Sequence, residues 1–159
     1  EYFVLPEAVV DEKASILVGL DGRKMSKSYG NTIPLFEPEE ALRKLIMRIK
    51  TNSLPPEAPK DPDACTLFQI YQAFATAKEM AAIRERYIQG IGWGEIKQIL
   101  FEYLNTRLSE PRQRFQELLQ APDYIEQILK RGAARAREHS VPFLYELRQA
   151  VGIRPLCKE

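Results

Sequence analysis

The sequence predicts a mainly α-helical protein, in which a short segment of β-type runs and loops precedes a helical bundle. From residue 37 onward, apolar residues recur at the three- and four-residue spacing of amphipathic helices. The first 36 residues instead contain two short apolar runs, residues 2–5 and 16–18, separated by proline and charged residues. We predict that these runs are edge strands or extended loops that need a partner sheet, and this chain encodes no such sheet.

Local signals place the helices and their connections. Proline and acidic residues at 37–40 suit the first turn of a helix. The stretch 51–62 is too rich in proline for a helix and is predicted to be a fixed linker. Thr76 and Glu79 have the spacing of a capping box, so a helix is expected to follow Thr76 and to end near Gly90.

The second half of the chain predicts longer helices. Trp93, in a glycine-rich turn, is expected to fill a gap in the core. We expect a kink at Pro111 and an interruption at Pro142, because proline lacks the amide donor that a helix interior uses. Asp123 with Glu126 is predicted to cap the last helical region.

Composition bounds the classes of function. A formal net charge of +1, with 28% charged and 45% hydrophobic residues, indicates an ordinary globular domain whose nucleic-acid contacts would come from local basic patches. Cys65 and Cys157 are expected to be reduced thiols of a cytosolic protein, and with His139 they form no metal-site spacing. We expect neither a signal peptide nor a membrane span, and the start without methionine suggests a fragment.

The segment Gly19–Asn31, here called the lysine loop, has the composition of a phosphate-binding loop. Glycines give its backbone freedom, and Lys24 and Lys27 each bring a compact positive charge with three donors. Ser26 and Ser28 can add hydroxyl bonds. The alternative is an exposed basic loop that contributes only solubility.

The run at residues 24–28 resembles the signature loop of class I aminoacyl-tRNA synthetases, which wraps the triphosphate of ATP. The resemblance implies that Lys27 and Lys24 stabilise the transition state. It also implies that the ATP-binding residues are Lys24, Met25, Ser26, Lys27 and Ser28.

Further stretches resemble bacterial tryptophanyl-tRNA synthetases in the same order along the chain. They are residues 3–7, 59–62 with 67–71, 92–97, 132–137 and 151–153. Tyr29 and Gly30 depart from the acidic pair that many bacterial members carry after the loop. The resemblance implies that residues 1–36 end a catalytic domain, that 37–62 form a helix and linker, and that 63–159 form a helical tRNA- and anticodon-binding domain. The nucleotide-binding domain is then expected upstream.

The activity implied by the resemblance is activation of tryptophan by ATP with Mg²⁺, followed by transfer to tRNA. The whole enzyme is expected to be a cytoplasmic homodimer without a protein-bound metal, and this chain alone is expected to be inactive and to lack the tryptophan pocket. The alternatives are a tyrosyl or methionyl enzyme of the same class and a non-catalytic RNA-binding module.

The resemblance also implies contacts to tRNA, which are expected at basic residues of the later helices. The candidates are Arg107, Arg112, Arg114, Lys130, Arg131, Arg135 and Arg137. Acidic residues such as Glu110 and Glu138 are interleaved with them, so a solvated, salt-bridged helix face is the competing interpretation.

Overall fold

The computed structural model describes residues 2–10 and 16–153, and Cys157 lies outside them. Five α-helices are described: α1 Glu39–Met47, α2 Thr66–Gln72, α3 Ala77–Gln89, α4 Trp93–Leu119 and α5 Pro122–Ala150. Within those ranges no strand forms, and Val18 makes a single antiparallel bridge with Lys24. The mainly α-helical prediction is confirmed, and the early apolar runs are extended loops.

The chain groups into two compact units. The core unit is Val9–Phe115, and the terminal unit is Glu1–Ala8 with Gln116–Glu159. The division of the chain after residues 36 and 62, which the resemblance implies, stays a prediction.

Apolar side chains of α1 to α4 form the centre of the core unit. Their spacing follows the helical period that the sequence shows, so each helix turns one stripe inward. The buried members on the helices are Leu42, Ile46, Leu67, Phe68, Ile70, Tyr71, Ile83, Tyr87, Ile96, Leu100, Phe101 and Leu104. Ile49, Cys65 and Ile91 join this cluster from the segments next to the helices. Trp93 is half-buried and packs against this cluster, as predicted.

The ends of the helices follow the expected local chemistry in α1 and α3 but not in α5. The capping box of Thr76 and Glu79 is present at the start of α3. The predicted cap by Asp123 and Glu126 is wrong, because α5 begins after Ala121 with Pro122 in its first turn and without a side-chain cap bond. Proline suits that position, since its missing N–H would have no helical partner there.

Neither internal proline ends a helix. α4 continues through Pro111, and α5 continues through Pro142, so the predicted interruption at Pro142 is wrong. A proline removes one hydrogen bond from the ladder, and in a helix of this length the turns on both sides keep theirs.

The terminal unit contains α5, the last residues of α4 and a short extended segment. None of the α5 side chains is buried. Phe3 makes an edge-to-face contact with Phe143, with ring centroids 5.8 Å apart. No helix in the described part of the chain is long and apolar enough to cross a membrane.

Lys60 organises the proline-rich linker. Its side chain is 3% exposed, and its ammonium donates hydrogen bonds of 2.9, 3.1 and 2.9 Å to the carbonyl oxygens of Pro55, Pro56 and Ala58. The ammonium also lies 5.3 Å from the ring centroid of Trp93. One buried cation therefore satisfies carbonyl groups that no helix or sheet pairs.

We predict that Lys60→Met lowers the free energy of unfolding by about 2–3 kcal/mol, because the substitution removes three charge-assisted hydrogen bonds to carbonyl oxygens of the linker. Urea denaturation of the chain measures this loss. Lys78→Met, which changes an exposed lysine of α3, is the matched control and is expected to stay within about 0.5 kcal/mol of wild type. Equal stability of the two variants would contradict the role assigned to Lys60.

Glu79 joins the start of α3 to α4. Its carboxylate accepts from the Thr76 N–H at 2.7 Å, the Tyr103 hydroxyl at 3.0 Å and the Arg107 guanidinium at 3.1 Å. The backbone N–H and then the hydroxyl of Thr76 contribute most to holding the pKa of Glu79 at about 2, below its ordinary value of 4.5.

This depressed pKa predicts an acid-dependent loss of stability. Between pH 4.5 and about 2 the folded chain keeps Glu79 ionised, whereas the unfolded chain binds a proton there. The contribution of Glu79 is therefore complete above pH 4.5 and is lost as the pH falls. Urea denaturation over this range is expected to show a steeper decline for wild type than for Glu79→Gln, and parallel curves would refute this assignment.

Candidate phosphate-binding loop

The lysine loop is closed at its base by backbone hydrogen bonds. The Gly19 N–H donates to the Arg23 carbonyl at 2.8 Å, and the Met25 N–H donates to the Leu17 carbonyl at 2.8 Å. These bonds surround the bridge between Val18 and Lys24. They form a tight hairpin-like turn that leads directly into the predicted phosphate-binding run.

The predicted binding residues follow this turn. Lys24 and Lys27 are both exposed, Met25 and Ser26 are half-buried, and Ser28 is exposed. Lys27 opens a single 3-10 turn, Lys27–Tyr29, and the hydroxyl groups of Ser26 and Ser28 lie 2.8 Å apart. Both lysine side chains therefore face solvent from a segment whose backbone is held, as a phosphate-binding role requires.

Asn31 is the residue of this loop that the sequence analysis missed. It is 3% exposed, and its Oδ1 accepts from the Ser26 N–H at 2.8 Å. Its Nδ2 donates to Asp21 Oδ1 at 2.7 Å and to the Lys24 carbonyl at 3.2 Å. An asparagine twelve residues after Gly19 carries no periodic signal, so only the folded loop shows its role.

Asp21 is fixed in turn by two neighbours. It accepts hydrogen bonds from Asn31 and from the Arg23 side chain, whose Nε lies 2.7 Å from Asp21 Oδ2. The Asn31 amide first, and then Arg23, holds the pKa of Asp21 at about 2, below its ordinary 3.8. Arg23 also lies over the ring of Tyr29, 4.6 Å from its centroid.

The base of the loop rests on the helical core. Val18, Leu20 and Ile33 are partly buried against the apolar cluster of α1 to α4. The Lys50 N–H, just after α1, donates to the Leu20 carbonyl at 3.3 Å. The position of the loop is therefore coupled to the packing of the core unit.

Two glycines are required by the geometry of this loop. A Cβ on Gly19 would lie 2.4 Å from Asn31 Cγ and 2.5 Å from the Asn31 carbonyl oxygen, so only glycine allows this approach. Gly30, with φ 61°, ends the 3-10 turn in the left-handed region, and its N–H donates to the Lys27 carbonyl.

The basic residues predicted to contact tRNA lie on two helices. Arg107, Arg112 and Arg114 are on α4, and Lys130, Arg131, Arg135 and Arg137 are on α5. Arg107 of α4 pairs with Glu79 of α3 at 3.1 Å, whereas Lys130 pairs with Glu126 on the same helix at 2.8 Å, as on a salt-bridged helix face. Arg112 donates to Asn105 at 2.9 Å. Arg131 and Arg135 are exposed and share a face one turn apart.

Within residues 2–10 and 16–153, no group of three or more His, Cys, Asp or Glu side chains is arranged to hold a metal ion. The acidic residue of the loop, Asp21, is instead occupied by Asn31 and Arg23.

The sequence and the fold agree on the class of protein. The family model of tRNA synthetases class I (W and Y) matches residues 2–109, and the chain belongs to this family. Within it, the similarity is to the tryptophan enzymes. The chain is 55% identical over 156 residues to the tryptophan–tRNA ligase of Pseudomonas aeruginosa, covering 98% of this chain and 35% of that protein. It is 49% identical over 156 residues to the enzyme of Neisseria meningitidis, covering 98% and 46% of the two chains.

A solved structure has a similar fold. The crystal structure of tryptophanyl-tRNA synthetase from Campylobacter jejuni complexed with ADP and tryptophan matches with a TM-score of 0.79 and 38% identity. The match covers 95% of this chain and 48% of that one. The resemblance to bacterial tryptophanyl-tRNA synthetases is confirmed, and the chain spans about a third to a half of the length of these relatives.

We predict that Gly19→Ala loosens the lysine loop. The added Cβ displaces the buried Asn31 side chain, and losing about 1 kcal/mol of local hydrogen bonding makes opening about fivefold more frequent. Limited proteolysis with trypsin, which cleaves after Lys24 and Lys27, measures this opening.

The matched control is Gly94→Ala in α4, where a Cβ has nothing within 4 Å. This variant is expected to keep the wild-type cleavage rate in the loop. If Gly19→Ala does the same, the close approach of Gly19 and Asn31 does not hold the loop.

Proposed function

We propose that this chain supplies the ATP-phosphate loop and the tRNA-supporting helices of a tryptophan–tRNA ligase. The observation that carries the proposal is the arrangement of Lys24 and Lys27. Both are exposed, and the backbone between them is hydrogen-bonded to the buried Asn31 side chain. Membership of the class I tRNA synthetases supports this role for the pair.

The chemistry needs positive charge where pyrophosphate departs. When the carboxylate of an amino acid attacks the α-phosphorus of ATP, the bond between that phosphorus and the oxygen bridging it to the β-phosphorus breaks. Negative charge then accumulates on the leaving pyrophosphate. Cations at the final position of that charge stabilise the transition state more than the ground state. In this proposal Lys27 and Lys24 are those cations, and the serine hydroxyls and Met25 complete the loop around the phosphates.

The similarity to the tryptophan enzymes supports the choice of substrates. The related Campylobacter protein is complexed with ADP and tryptophan, which favours ATP and tryptophan for the whole enzyme of this chain. Mg²⁺ enters bound to the nucleotide phosphates, as part of the substrate. The adenylate would then pass to the 3′ end of tRNA.

The helices are proposed to contact tRNA. Arg131 and Arg135 on α5 have exposed guanidinium groups on one face, which favours them for phosphate contacts, whereas Arg107 is engaged by Glu79.

The chain is proposed to divide into the end of a catalytic domain at residues 1–36, a helix and linker at 37–62, and a helical tRNA-binding domain at 63–159. A cytoplasmic homodimer is proposed for the whole enzyme, and this chain by itself is proposed to be inactive.

We predict that Lys27→Ala in the complete gene product lowers tryptophan-dependent exchange of pyrophosphate into ATP by at least about a hundredfold. The loss of one donor to the developing charge costs about 3 kcal/mol of transition-state stabilisation. Lys78→Ala, at an exposed lysine of α3, is the control and is expected to retain wild-type exchange.

The outcomes separate the candidate functions. Exchange with tyrosine or methionine instead of tryptophan would assign another enzyme of the class. A complete product that exchanges nothing but binds tRNA, with binding unchanged after substitution of both loop lysines, would favour the RNA-binding module. Near-normal exchange by Lys27→Ala would remove Lys27 from the mechanism.

A further inference from the structure

The side chain of Asn31 uses its carboxamide in three directions while being almost completely buried. A carboxamide has one acceptor oxygen and two N–H donors. Here the oxygen accepts from the Ser26 N–H, and the nitrogen donates to Asp21 and to the Lys24 carbonyl. A buried amide with all of these hydrogen bonds is far harder to displace than an exposed one, because the amide and its partners would lose these bonds without forming hydrogen bonds to water.

The partners of Asn31 are the backbone groups that carry the two lysines. The Lys24 carbonyl and the Ser26 N–H lie on either side of Met25, and Lys27 begins the 3-10 turn directly after Ser26. Each lysine is a point charge on a flexible stem, so the position of its charge depends on where its Cα is held. One side chain thus holds the backbone that carries both lysines.

Asp21 determines which way the Asn31 amide faces. An ionised carboxylate only accepts hydrogen bonds, so Nδ2 must point to Asp21 and Oδ1 is left to face the Ser26 N–H. The Arg23 side chain holds the other oxygen of Asp21 at 2.7 Å. If the amide were reversed, its oxygen would face the Asp21 carboxylate and its NH₂ group would face the Ser26 N–H, so both hydrogen bonds would be lost.

We infer that Asn31 is a positioning residue for phosphate chemistry, oriented by Asp21, and that it sets the geometry in which Lys24 and Lys27 meet the leaving pyrophosphate. This inference rests on the proposed function. It assigns a residue outside the lysine-serine run to the mechanism, and it predicts that the effect of Asn31 passes through the lysines.

The first test is Asn31→Asp in the complete gene product. Aspartate keeps the acceptor for Ser26 but loses both donations, and it faces the Asp21 carboxylate at the position where Nδ2 now lies 2.7 Å away. The kcat of tryptophan-dependent pyrophosphate exchange is expected to fall about a hundredfold through misplacement of the cations, with an unchanged KM for tryptophan. The control is Asn52→Asp, an exposed asparagine whose Oδ1 accepts from the Leu54 N–H and which a carboxylate can replace.

The second test exchanges the two residues. In Asp21→Asn with Asn31→Asp, an amide again faces a carboxylate, with the polarity reversed. This double variant is expected to recover at least about tenfold of the lost kcat. Recovery is incomplete, because the donation to the Lys24 carbonyl stays lost and the amide nitrogen that replaces Asp21 Oδ1 no longer accepts from the Arg23 N–H. In a Lys27→Ala background, the cost of Asn31→Asp is expected to shrink by at least about tenfold, since one of the two cations is no longer there to be placed.

Each outcome bears on one of the two proposals. A wild-type product that exchanges nothing with tryptophan would defeat the proposed function. Wild-type exchange that needs Lys27 but survives Asn31→Asp within about threefold would overturn only the inference about Asn31. Equal costs with and without Lys27 would also overturn it, because a general structural role predicts additivity. If Asn31→Asp fails to fold, the exchanged double variant decides, and a folded double variant without recovered kcat overturns the inference.

Discussion

Burial of apolar side chains among the four helices α1 to α4 is the constraint on which the rest of the core unit depends. Each fully buried leucine, isoleucine or phenylalanine there contributes about 1.5–3 kcal/mol. The exposed pair of Arg84 and Asp63, although well aligned, contributes far less, because solvent screens it. The lysine loop lies on this cluster through Val18, Leu20 and Ile33, so its position follows from helix packing.

Two irregular segments lie beside this core, and one buried polar side chain organises each of them. Lys60 satisfies carbonyl groups of the proline-rich linker, and Asn31 satisfies backbone groups of the lysine loop. Burying a charge or an amide is costly unless its hydrogen bonds are made. The same cost makes each of these segments conformationally specific, because alternative backbone arrangements would leave the buried group unpaired.

For the proposed phosphate binding, this arrangement addresses the mobility of the lysine side chain. An ammonium group on a four-carbon stem is mobile and strongly hydrated, so it gains precision only when its backbone is held. In the lysine loop Lys24 and Lys27 stay exposed, where they can meet a polyanion, while the backbone between them is bonded inward. Accessibility and precision are thus provided by different parts of the same segment.

The sequence by itself determined the helices of the core unit and the capping box at Thr76 and Glu79, because helical periodicity and caps are local properties. Its motifs also indicated the family and marked Lys24 and Lys27 as the candidate phosphate-binding residues. Only the tertiary structure decided which apolar stripes are buried. The stripe on α5 has the same period as those of α1 to α4, yet it is exposed, since burial requires a packing partner and not only a pattern. Likewise, Pro142 did not interrupt α5. The roles of Asn31 and Lys60 depend on contacts that form only when the chain folds, because a buried hydrogen-bond network has no signature in residue spacing.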